Sequence, residues 1–73
     1  MKLYMRILSG DETLAAEIYR SPAGTRFLVR MIDEETRRDA GIDALVGTKL
    51  VDDVDTAIRH ANAWVTQTPV GAA

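Results

Sequence analysis

Leu14-Ala15-Ala16-Glu17-Ile18-Tyr19-Arg20, the turn Ser21-Pro22-Ala23-Gly24-Thr25, and Arg26-Phe27-Leu28-Val29-Arg30-Met31 decide the fold. Apolar residues recur at every second position at Leu14, Ala16 and Ile18, and again at Phe27, Val29 and Met31. A period of two is that of half-buried strands. The intervening Pro and Gly mark a turn, and Gly24 suits either a tight turn or a bulged three-residue loop, so two pairings are open. Hydrophobic phase separates them. Ile18 opposite Val29 keeps apolar residues on one face and sets Glu17 against Arg30, whereas a slip of one residue puts Glu17 against Val29 and reverses the strand. The first register is the expected one.

Upstream, Leu3, Met5 and Ile7 repeat the alternation. Ser9-Gly10-Asp11-Glu12 reads as a two-residue type II′ hairpin turn with Gly10 at its first central position. That turn sets Leu3 opposite Ile18, Met5 opposite Ala16 and Ile7 opposite Leu14. The rows beneath the buried face become Leu3–Ile18–Val29 and Met5–Ala16–Met31. The other face reads Tyr4–Glu17–Arg30, Arg6–Ala15–Ile32 and Lys2–Tyr19–Leu28.

Downstream, Val54, Ala57, Ile58, Ala61 and Val65 recur at helical spacing, flanked by Trp64, with Arg59 and Asn62 on the far side. The helix is expected from about Asp53 to Gln67, before Pro69, with Asp52 or Asp53 as N-cap. Between strand and helix, Glu34 to Ala40 suits one or two helical turns, with a Glu34–Arg38 pair and Gly41 as C-cap, or an exposed loop. Leu45 to Val51 suits a fourth, edge strand, with Lys49 discouraging further pairing. The fold class is therefore α+β: two layers, a three- or four-stranded antiparallel sheet in β-β-β-(β)-α order on one C-terminal amphipathic helix. Residues 1–67 form a single domain and 68–73 a flexible tail. The expected core is Leu3, Met5, Ile7, Leu14, Ala16, Ile18, Phe27, Val29, Met31, Val54, Ile58, Ala61 and Val65.

Seventy-three residues hold one small core, and the absence of cysteine removes disulfides, thiolate metal sites and a Cys nucleophile as supports or functions. Such a core stands alone or is extended by a partner subunit. Residues 1–8 carry Lys2 and Arg6 and offer no continuous apolar run of signal-peptide or membrane-span length, so the expectation is a cytoplasmic chain off the membrane. Net charge is −2, yet residues 1–38 hold 7 basic and 6 acidic side chains, against 2 and 5 in residues 39–73. Any basic surface belongs to the first half.

Gly41 to Lys49 is not a phosphate loop, which needs four residues between its glycines and Lys directly after the second. Asp52, Asp53 and Asp55 lack the calcium-loop spacing, and capping with dipole compensation accounts for acids at a helix start. His60, Ser9 and Ser21 supply the parts of a triad without any pattern joining them. No catalytic residue, metal site or cofactor is expected, and the chain reads as a non-enzyme.

The second sheet face carries the most chemistry. Tyr4, Arg6, Tyr19, Arg26 and Arg30, with Lys2 at the edge, interleave rings and cations in a way that can stack bases and neutralise phosphates. Leu8, Leu28 and Ile32 share that face, and large apolar residues there call for cover, by the middle segment or by another subunit. A plain salt-paired, solvated surface accounts for the charges equally well. The candidate binding residues are thus Tyr4, Arg6, Tyr19, Arg26, Leu28, Arg30 and Ile32. The leading expectation is a small interaction module whose partner is itself, as a homodimer, or another protein. A nucleic-acid platform is the alternative, weakened by an acidic pI near 5.2. Three strands followed by a helix carrying Ala57-x-x-x-Ala61-x-x-Trp64 resemble in outline the arm-binding domains of tyrosine recombinases, which use a three-stranded sheet on DNA; no residue is carried over.

Overall fold

The computed structural model describes residues 1–68. The chain runs β1 (Lys2–Leu8), β2 (Leu14–Arg20), β3 (Phe27–Asp33), α1 (Glu34–Ala40), β4 (Leu45–Val51) and α2 (Val54–Thr66). The strands form one antiparallel sheet in the order β1-β2-β3-β4, with β1 and β4 at its edges. The α+β class, the fourth strand and the C-terminal helix agree with the sequence reading. The tail expected at 68–73 lies, from residue 69 on, outside the described residues.

The β2–β3 hairpin has the register set by hydrophobic phase: Ile18 pairs with Val29 and Glu17 with Arg30. Pro22 opens a turn in which the Gly24 N–H donates to the Ser21 carbonyl at 2.9 Å. Gly24 takes φ +72°, and a Cβ there would meet the Arg20 guanidinium.

The β1–β2 register differs from the expected one. Ile7 pairs with Ala16 and Met5 with Ile18, two residues along from the tight-turn pairing. Gly10 does not supply a left-handed turn residue; Glu12 does, at φ 60°. The cause is Asp11, whose carboxylate accepts from the Ser9 hydroxyl (2.7 Å), the Thr13 hydroxyl (2.8 Å) and the Thr13 N–H (3.1 Å). This side-chain network builds a longer loop in place of the two-residue turn. The same bonds, that from Ser9 foremost, hold the Asp11 carboxyl down at about 2. A shift of two preserves the facing of Met5 and Ile7. A further irregularity between Leu3 and Met5 does not, because the extra residue Tyr4 turns the strand end over and sets Leu3 opposite Tyr19. Leu3 therefore leaves the expected core and is 52% exposed.

The core lies between the sheet and α2: Ala16, Ile18, Phe27 and Val29 meet Ala57, Ala61 and Val65, with Met5, Ile7, Leu14, Val51, Val54, Ile58 and Trp64 packed around them. The alanines on both layers let the helix backbone approach closely, and Ile18 and Val29 are fully buried. The Trp64 indole N–H donates to the Ile32 carbonyl at 3.2 Å, which fixes the last turns of α2 against β3.

Of the two readings of the middle segment, the helical one holds. Asp33 caps α1 by accepting from the Thr36 N–H, and Gly41 closes it in the left-handed region at φ 68°. Glu34 pairs with Arg37 rather than with Arg38, which instead donates to the Glu12 carbonyl. In α2, Asp53 is the N-cap, its carboxylate accepting from the Thr56 N–H at 2.7 Å and the Thr56 hydroxyl at 2.9 Å. Asp53→Ala removes both acceptors and lowers the thermal midpoint by about 5 °C, while Asp53→Asn retains most of it, as read by circular dichroism melting.

Candidate functional site: the sheet face opposite the terminal helix

Paired residues point to the same side of a sheet, so the register assigns the face away from α2. Three rows cross it: Leu3–Tyr19–Leu28–Leu50, Arg6–Glu17–Arg30–Thr48 and Leu8–Ala15–Ile32–Leu45. Beyond the first row lie Arg26 and Asp52, 3.8 Å apart.

The middle of the third row is covered within the subunit, while its end residues Leu8 and Leu45 are 39% and 45% exposed. Helix α1 lies against β2 and β3, and Ala15 and Ile32 are buried at 0% and 2% exposure. Ile32, expected as a binding residue, is thus closed to any partner. This is the cover that the apolar residues of the face called for, and it comes from the middle segment for one end of the sheet.

The central row is bound into an ion network. Glu17 accepts from the Arg30 guanidinium and the Tyr19 hydroxyl, each at 3.1 Å, and Arg30 also reaches Asp43. The Arg30 guanidinium lies over the Tyr19 ring, 6.0 Å from its centroid. Arg6 bridges to Glu34 at 3.0 Å, and Glu34 also receives Arg37. Glu34 is buried, and its carboxyl is held down at about 2, first by the Arg37 hydrogen bonds and then by Arg6, against the opposing effect of burial. Three cations, Arg6, Arg30 and Arg37, meet three anions, Glu17, Glu34 and Asp43. The network neutralises itself.

Tyr4 is not among these residues. The bulge brings its ring edge-on to Phe27 of the helix-side core, centroids 5.7 Å apart. The expected Tyr4–Glu17–Arg30 row is replaced by Arg6–Glu17–Arg30. Of the expected set, the structure brings together Arg6, Tyr19, Leu28 and Arg30, places Arg26 at the border, turns Tyr4 away and buries Ile32.

Three residues were missed. Leu3 arrives on this face through a bulge that apolar alternation does not encode. Leu50 follows from the phase of β4 once Val51 is set against the core, a signal present in the sequence. Glu34 needed knowledge that α1 folds back toward Arg6. The row open along its whole length is the first: Leu3 and Leu50 at its ends are 52% and 53% exposed, with Tyr19 and Leu28 half-buried between them, whereas the third row is open at its ends alone.

A surface hollow of about 430 Å³ lies at one sheet corner, lined by Met1, Lys2, Arg20, Ser21 and Pro22. It brings together no nucleophile, base and orienting group, and neither His60 nor the aspartates before α2 line it. Comparison of the chain with protein-family models, with curated proteins and with solved structures returns no match.

Proposed function

We propose that this chain is a small, non-enzymatic protein-interaction module that associates with itself through the open part of the face opposite α2. One observation carries the reading: an apolar row, Leu3–Tyr19–Leu28–Leu50, crosses all four strands and ends in two leucines more than half exposed. A contiguous apolar strip rimmed by charge is the usual form of a protein contact surface. A domain of this size gains core by burying such a strip against a partner.

The nucleic-acid reading draws less support. Phosphate binding needs cations free to replace counterions, and Arg6 and Arg30 are committed to carboxylates. The stacking platform also loses Tyr4 to the helix side.

Sedimentation velocity over a concentration series tests the proposal. The chain is expected to move from monomer to dimer as concentration rises, and Leu50→Glu, which sets a charge in the strip without touching the core, is expected to keep it monomeric. A wild-type chain that stays monomeric at the highest concentration overturns the reading. Retention of labelled DNA at low salt by that monomer would transfer it to the alternative.

A further inference from the structure

Resting on the self-association just described, we infer that the partner copy docks face to face about a two-fold axis lying in the interface, parallel to the strands and between β3 and β4. Such an axis sets Leu28 of one copy against Leu50 of the other and, one row along, Arg26 of one copy against Asp52 of the other.

The distribution of charge on the face carries this arrangement. A two-fold contact places a surface against itself, so a face with net charge of either sign opposes its own pairing. Here the central row and its partners in α1 and the following loop cancel three against three. Those ion pairs are also satisfied internally: Arg6–Glu34 and Arg30–Glu17 close at 3.0 and 3.1 Å within the subunit.

Arg26 and Asp52 differ. They border the open leucine row as one cation and one anion, beside the neighbouring strands β3 and β4. At 3.8 Å they are beyond hydrogen-bond reach, with side chains 60% and 88% exposed. An exposed pair of that length contributes almost nothing on its own. Exchanging partners across the axis gives two Arg26–Asp52 contacts between copies, beside two Leu28–Leu50 contacts that exclude water from them. Opposite charges flanking the paired ends of neighbouring strands, Arg26 just before Phe27 and Asp52 just after Val51, are what an axis parallel to those strands requires. An axis perpendicular to the strands would not bring Arg26 onto Asp52.

Arg26→Asp, Asp52→Arg and an equimolar mixture of the two variants provide the test, again by sedimentation velocity, with circular dichroism confirming that each variant is folded. In each variant alone the two-fold contact sets like charges together twice, and dimerisation is expected to weaken by about tenfold or more. In the mixture, the aspartate introduced at position 26 of one variant faces the arginine introduced at position 52 of the other. The second contact joins the unaltered Asp52 of the first variant to the unaltered Arg26 of the second. Both contacts are opposite in charge, and dimerisation is expected to return to within about threefold of wild type. Two results overturn the inference while leaving self-association standing: a dimer indifferent to both substitutions, or variants that weaken it without recovery on mixing. A wild-type chain that never dimerises removes both this inference and the reading on which it rests.

Discussion

Ile18→Ala is expected to cost about 3 kcal/mol of folding stability, while Leu3→Ala costs less than about 0.5 kcal/mol, measured by urea denaturation of both variants beside wild type. Ile18 is central in β2, fully buried under α2, and pairs with Met5 on one side and Val29 on the other. Its truncation leaves a void bounded by strands on both flanks and by Ala57 and Ala61 of α2, whose methyl groups are too short to fill it. A domain of this size has on the order of 5 kcal/mol to lose, so the thermal midpoint falls by about 15 °C and an unfolded fraction appears at body temperature. Leu3 is the control that makes the experiment informative about register. With the tight-turn pairing it would lie beside Ile18 in the core and its truncation would cost nearly as much. With the bulge at Tyr4 it is half in solvent. Equal losses at the two positions would restore the tight-turn register and move Leu3 off the proposed contact strip.

This contrast marks where sequence reading reaches its limit. Alternation fixed the facing of Ile18, Val29, Met5 and Ala16, because a one-residue slip would have inverted every side chain of a strand. It could not distinguish pairings two residues apart, since both keep the same face buried. The choice fell to the loop, where the Gly10-Asp11 signal for a tight hairpin competed with the appetite of the Asp11 carboxylate for nearby donors; the carboxylate, with three bonds, won. The α2 boundaries were legible because Asp53 is a strong cap and Val54 to Val65 are strongly periodic. On the open face, Tyr19, Leu28 and Arg30 followed from the β2–β3 hairpin alone. Arg6 kept its face but changed partner with the register. Ile32 was correctly placed on the second face, yet its cover depended on α1 folding back, which no local pattern in Glu34 to Ala40 prescribes.

Glu34 is where that return of α1 is fastened, and Glu34→Gln is expected to lower stability at pH 7 by about 3 kcal/mol. The carboxylate is buried, receives Arg37 from its own helix and is bridged by Arg6 from β1 at 3.0 Å, so it links elements far apart in sequence. Its carboxyl is held at about 2 against an ordinary value of 4.5. At pH values between these two the unfolded chain binds the proton and the folded chain does not, so stability rises with pH across that interval. The contribution is complete above about pH 5 and is lost as pH falls toward about 2. Glutamine keeps the shape and one acceptor but not the charge, and it leaves two guanidinium groups facing a neutral amide. Acidification also erodes other contacts, such as the Asp11 loop network, so the wild-type curve alone is ambiguous. The difference between wild type and Glu34→Gln is not, since every other carboxyl is common to both. Urea midpoints from pH 7 to pH 2 are expected to show a gap that is constant down to about pH 5 and then closes toward about pH 2. A gap that stays constant throughout would mean that the cost of the substitution is steric, and that the fastening of α1 over Ala15 and Ile32 does not depend on the Glu34 charge.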